Sequence, residues 1–232
     1  MPGKNPNLSL LYGKDTYFLE NALKKIKKDF GTLVKGINFI TIEQTNVNAM
    51  ISEIETPAFG YEKKFILARD TGLFKKAGKK TKGSQSEWIQ KIAEYIQEHQ
   101  EEMKESVLLV FVEEEVEKNE LYKTIEKFGV VQAFEEEKPA QIVTRLKQIC
   151  QAYGVKADQP TLLYLVEMCG TNMQDLINEI RKLIEYAGKG GTITKEAIDL
   201  LCVRKMDAVI FQLTDYLGKK EIRKCFWRIK RS

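Results

Sequence analysis

The 232-residue sequence contains a single histidine, His99. It sits on a helical stretch among Glu98, Glu101 and Glu102, the setting of a surface imidazole. One such histidine supports neither a Ser/His/Asp nor a Cys/His catalytic group. Cysteine is sparse too. Cys150, Cys169, Cys202 and Cys225 are widely spaced with no C-x-x-C pair, so no metal-ligand motif or disulfide scaffold is legible. They read as reduced thiols of a cytoplasmic protein. No apolar run approaches the about 20 residues of a membrane span, and no apolar segment follows residues 1–7 as a signal peptide requires. No membrane partner, metal or cofactor is expected. Charge of one sign is barely in excess: 37 Lys and Arg against 33 Asp and Glu leave +4. That balance permits nucleic-acid contact without requiring it.

What is present is the composition of a soluble globular chain of one or two domains, 43% hydrophobic and 30% charged. Strands and amphipathic helices alternate through the first half. Residues 8–12 read as a strand and 16–30 as a helix. Residues 37–42 form a second strand, and 47–55 a helix capped by Asn46. Residues 64–69 form a third strand and 86–100 a helix. Residues 106–112 are the most hydrophobic, hence central, strand. A helix over 119–128 and a strand over 130–134 complete the alternation. This predicts an α/β domain with a parallel sheet and helices on both faces. Glu135-Glu136-Glu137 and Pro139 break the pattern. Beyond them come helices over 140–153, 159–169, 173–187 and 195–202, with Asp158, Asn172 and Thr194 as N-caps. The sequence stops soon after Phe226 and Trp227, large apolar residues that lack cover, so a shortened chain is expected.

A parallel sheet followed by a small helical lid suggests a nucleotide-binding ATPase, and the first strand–helix junction is where its phosphate loop would lie. That loop needs G-x-x-x-x-G-K-[ST]. The junction here is Tyr12-Gly13-Lys14-Asp15-Thr16, with one glycine and an aspartate that repels phosphate. Glu113-Glu114-Glu115 resembles a magnesium-holding strand end, but without the loop it reads as a solvated terminus. The stretch that stands out is Glu55-Thr56-Pro57-Ala58-Phe59-Gly60-Tyr61. Pro57 ends a helix and Gly60 permits a reversal, which leaves Phe59 on a turn. Leu73-Phe74 is a second apolar pair in a connecting segment. Lys75, Lys76, Lys79, Lys80 and Lys82 form a basic, glycine-bearing loop with a possible role at phosphate.

The stretches Leu10–Glu20, Thr56–Lys64, Leu121–Lys123 with the strand Gly129–Phe134, and Gly170–Leu183 together resemble the delta subunit of the bacterial DNA polymerase III clamp loader, in order along nearly the whole chain. The resemblance implies three regions: a degenerate AAA+-like (P-loop-NTPase-like) α/β domain lacking a working phosphate loop over 1–138, a helical lid over 139–205, and the first helices of a helical collar over 206–232. It implies a non-catalytic subunit that binds and opens the sliding clamp for loading onto primed DNA, alongside other clamp-loader subunits. The clamp contact would be Pro57, Ala58, Phe59 and Tyr61, with Phe59 entering an apolar pocket on the clamp. Ala58 stands where the family commonly has leucine. Met173 and Gln174 stand where an active ATPase of this architecture often has a sensing arginine. Because the collar carries oligomerisation in the family, this chain alone is expected to be a monomer. Two alternatives stay open on the residues: a DNA-binding module using Lys75–Lys82 and the basic residues 223–231, and an active ATPase of the same architecture.

Overall fold

In the computed structural model, which describes residues 6–75 and 82–203, the chain divides into two compact units meeting in sequence at Glu135 and Glu136. The first is built on five parallel strands: β1 (Leu8–Tyr12), β2 (Phe39–Ile42), β3 (Lys64–Arg69), β4 (Val107–Glu113) and β5 (Val130–Ala133). Their order across the sheet is β2-β3-β4-β1-β5, with every pairing parallel. The helices are α1 (Thr16–Phe30), α2 (Met50–Glu55), α3 (Lys82–Ser106) and α4 (Glu120–Phe128).

The strand sequences dictate the layering. All seven residues of β4 are buried, so both of its faces need cover. Val107, Leu109 and Phe111 face one core, where Met50 and Ile54 of α2, Ile92 and Ile96 of α3, and Leu121 and Ile125 of α4 close over them. Leu108, Val110 and Val112 face the other, covered by Leu19 and Leu23 of α1. The two-residue period of the strand thus sorts one apolar run into two cores. Phe74 packs edge-on to Phe111, with ring centroids 5.5 Å apart.

The second unit holds α5 (Pro139–Ala152), α6 (Gln159–Cys169), α7 (Met173–Ala187) and α8 (Lys195–Leu201). The side chains of Asp158, Asn172 and Thr194 accept hydrogen bonds from the N–H groups of Thr161, Asp175 and Ala197, so each of the three expected caps forms. Leu146, Leu162, Leu165, Leu176, Ile180, Leu183 and Ile198 are buried.

The structure corrects several boundaries. Asn46 does not cap a helix over 47–55. Gln44–Ala49 is a 3-10 turn and α2 starts at Met50. The Asn46 side chain instead accepts from Glu43 N–H at 2.7 Å and donates to the Thr41 carbonyl at 3.2 Å. The second strand starts at Phe39, leaving Ile37 exposed. The helix expected over 86–100 runs from Lys82 to Ser106 with a kink at His99. His99 is half-buried there and stacks on Tyr95 with centroids 4.3 Å apart. Leu73 and Phe74 are buried, which removes them as a surface for a partner. Residues 206–232 lie outside the described residues.

Asn119 ties two parts of the first unit. Its Oδ1 accepts from Tyr122 N–H at 3.1 Å, and its Nδ2 donates to the Leu73 carbonyl at 2.7 Å. Asn119→Ala is expected to destabilise this unit by about 1–2 kcal/mol. The urea midpoint should fall with the slope unchanged.

Candidate functional site

The chain's most exposed large apolar side chain among the described residues is built on a braced turn. Helix α2 ends because Thr56 takes an extended conformation (φ −77°, ψ 118°), as a residue before proline must. Thr56 closes the helix by donating its N–H and Oγ1 to the Ser52 carbonyl, at 3.0 and 2.7 Å. Ala58 to Tyr61 then form a β-turn, closed by Tyr61 N–H donating to the Ala58 carbonyl at 3.2 Å. Gly60 sits at its third position with φ +77°, the left-handed value that glycine adopts freely. Phe59 occupies the second position, at the apex, and is 91% exposed.

The base of the turn is fixed by a buried cation. Lys64, the first residue of β3, is 3% exposed. Its Nζ donates to the Glu53 carbonyl at 2.9 Å and pairs with Glu53 Oε2 at 3.3 Å. It therefore fastens the last turn of α2 to the start of β3, the two elements that flank the turn. Lys63 Nζ donates to the Lys104 carbonyl near the end of α3 at 3.3 Å, where the helix dipole favours a cation. Tyr61 is 40% exposed and borders a groove of about 630 Å³ with Phe30, Lys63 and Leu108. Pro57 is exposed and Ala58 half-buried. Of the four residues singled out from sequence, Ala58, Phe59 and Tyr61 thus lie in one turn and Pro57 immediately precedes it.

The basic loop is less defined. Lys75 is exposed and Lys82 opens α3, whereas Lys76, Lys79 and Lys80 lie outside the described residues.

The β1–α1 junction is already filled by the protein's own hydrogen bonds. Gly13 N–H donates to the Glu113 carbonyl at 3.1 Å, Asp15 N–H to the Phe134 carbonyl at 3.0 Å and Thr16 N–H to the Lys14 carbonyl at 2.9 Å. Phe18 N–H goes to Asp15 Oδ1 at 3.1 Å, which caps α1 with a carboxylate. A phosphate cradle presents such N–H groups to the ligand, and these four are engaged. Lys14 Nζ is 3.1 Å from Glu115 Oε1. Gly13 is held against Phe134, the residue after β5: a Cβ there would lie 2.0 Å from the Phe134 carbonyl oxygen, and φ is +134°. In the helical unit Asn172 caps α7, Met173 is buried and Gln174 is exposed.

Glu113 differs from expectation. It is 1% exposed, not a solvated strand end. Its Oε1 accepts from Thr71 N–H at 2.8 Å and Thr71 Oγ1 at 2.6 Å, while Oε2 has no hydrogen-bond partner among the described residues. Burial pushes its carboxyl above the usual range. The Thr71 bonds oppose that shift, Asp70 adds to it and Lys75 opposes it. Sequence could not show this, because the covering segment, Asp70 to Lys75, lies about forty residues away.

A parallel five-stranded sheet in this order, with helices on both faces and a small helical unit after it, defines an α/β protein of the AAA+-like fold class. Within that class the family is shown by sequence. The family model described as DNA polymerase III, delta subunit, matches residues 10–135, more than half of the chain, and the chain belongs to this family. A protein of Aquifex aeolicus (strain VF5) described as "Probable DNA polymerase III subunit delta" is 23% identical over 93% of this chain and 60% of its own length. The DNA polymerase III subunit delta of Bacillus subtilis (strain 168) is 24% identical over 91% of this chain and 61% of its own. The chain therefore spans about three fifths of these curated relatives. The solved structure of the Bacillus subtilis DNA clamp loader delta protein superposes with a TM-score of 0.62 at 18% identity, covering 97% of this chain and 66% of that one. That likeness is one of fold.

Two outcomes follow. Gly13→Ala should cost about 1–3 kcal/mol from backbone strain alone, more if Phe134 cannot move, measured by thermal unfolding. For Glu113, the folded pKa lies above the unfolded value near 4.5. The fold therefore holds a proton that the unfolded chain has released, and the contribution declines as pH rises from about that value through the raised one. Glu113→Gln should flatten this fall in stability across mildly acidic pH. An unchanged profile would contradict the assignment.

Proposed function

We propose that this chain is the clamp-gripping part of a clamp-loader delta subunit in DNA replication, a subunit that works by binding and carries out no catalytic step of its own. The observation that carries the reading is Phe59, exposed at the apex of a turn whose base is fixed by Lys64. A solitary aromatic held out on a rigid footing suits insertion into an apolar pocket, the usual form of an interface hot spot. The site comprises Pro57, Ala58, Phe59 and Tyr61, and the partner is the ring-shaped sliding clamp. The mechanism is differential affinity: the subunit favours an open ring only to the extent that it binds open better than closed. The engaged amides of the β1–α1 junction support a role without ATP. In the cytoplasm the chain would work beside other loader subunits, which bring the ring to primed DNA.

The test is binding of the full chain to the sliding clamp of the same organism. Phe59→Ala should weaken it by about 2–4 kcal/mol, with the thermal midpoint unchanged because the side chain is exposed. Ala58→Leu should strengthen it by about 1–2 kcal/mol, from added apolar area. Tight binding that ignores Phe59→Ala would move the site away from the turn. Stoichiometric ATP binding by the isolated chain would favour an active ATPase instead.

A further inference from the structure

The helical unit gathers three donor side chains that the sequence keeps far apart. Cys169 is the last residue of α6, Glu179 lies within α7, and Cys202 follows the end of α8. Their ligand atoms all lie within 4.8 Å of one another. Cys169 is buried, Glu179 and Cys202 are half-buried, and both cysteines are thiols rather than disulfide partners. We propose that Cys169, Glu179 and Cys202 form a binding site for a thiophilic divalent cation, with zinc(II) the ion that fits.

The donor set argues for the ion. Two thiolates and one carboxylate select zinc over magnesium or calcium, which take all-oxygen shells. Tetrahedral zinc holds sulfur at about 2.3 Å and carboxylate oxygen at about 2.0–2.2 Å, so its donors stand roughly 3.5–3.8 Å apart. Side-chain rotation that draws the three atoms together by about 1 Å would meet that spacing. Three protein donors leave the fourth position to water or a further donor.

Lys182 provides the outer support. Its Nζ is 2.7 Å from Glu179 Oε2 and donates to the Leu201 carbonyl at 3.1 Å, immediately before Cys202. One ammonium thus sits against both the carboxylate and the segment that carries the second thiol. Such outer contacts are the usual support of metal ligands. The charges also balance: two thiolates, one carboxylate, a dication and the ammonium sum to zero. Without the ion, the Cys202 thiol is held protonated by its contact with Cys169, by burial and by Glu179. On binding, both thiol protons pass to solvent. The bound ion would pin the ends of α6 and α8 to α7 and stabilise the helical unit by mass action.

The experiment uses the full chain, reduced and metal-free, titrated with zinc(II) against a chromophoric chelator and separately with cobalt(II). The expected results are one equivalent bound, thiolate-to-cobalt charge-transfer bands, and a higher thermal midpoint with zinc. The bands should vanish in Cys169→Ser/Cys202→Ser, and Lys182→Met should lower zinc affinity about tenfold. Alkylation mapping of the unmutated chain guards against a variant that fails to fold: zinc should protect Cys169 and Cys202 together. The proposal is overturned by no stoichiometric metal, by zinc retained in a folded double variant, or by a Cys169–Cys202 disulfide forming in air at a rate that zinc does not slow.

Discussion

β4 is apolar from Val107 to Val112 and buried on both faces, so nothing in the first unit could be stable until helices covered both sides of it. Such two-sided cover is the setting of parallel strands, which are joined by crossovers. Each crossover leaves a strand at the carboxyl rim of the sheet and enters the next at the amino rim. The β1–α1 junction, Asp70 and Glu113 share the rim at the carboxyl ends of the strands, where α/β proteins bind ligands. The Phe59 turn precedes β3 and so lies at the other rim. The two rims have diverged in chemistry. At the carboxyl rim the protein's own carbonyls and the Asp15 carboxylate take up the N–H groups of the junction. At the amino rim an aromatic ring stands in solvent.

The proposed grip depends on preorganisation. An exposed phenylalanine on a loose loop would lose conformational entropy on docking. Thr56 and Pro57 fix the exit of α2, Gly60 sets the turn, and Lys64 holds both flanks, so most of that ordering is already in place. Burying the Lys64 ammonium is costly unless its hydrogen bonds are met. Glu53 meets them with two different groups, a carbonyl and a carboxylate. The same lysine that makes the fold exacting at this point makes the turn rigid.

The helical unit works by a different economy. Its helices are short, and each of α6, α7 and α8 starts at a side chain that satisfies one of the N–H groups a helix leaves open. The ends of α6 and α8 carry the two thiols, with α7 and Lys182 between them. The fold thus has a polar cluster where three helix segments converge.

Much was readable in the sequence, because local periodicity and local chemistry set it. The two-residue period of the strands, the 3.6-residue period of the helices, the caps Asp158, Asn172 and Thr194, and the Pro57–Gly60 turn all act within a few residues. What was misread depended on distant partners. Glu113 looked solvated beside Glu114 and Glu115, yet Thr71 reaches across from the end of β3 and burial follows. Leu73 and Phe74 read as an available apolar pair, yet Phe74 packs edge-on against Phe111. Asn46 looked like a cap, but Glu43 and Thr41 claimed its side chain. Cys169, Glu179 and Cys202 have no motif spacing, because helix packing alone unites them. Sequence by itself determined which segments became strands, helices and turns, since those choices are decided by neighbours along the chain. Only tertiary structure decided which polar groups are buried and which meet, since burial and contact between distant segments exist only once the layers close.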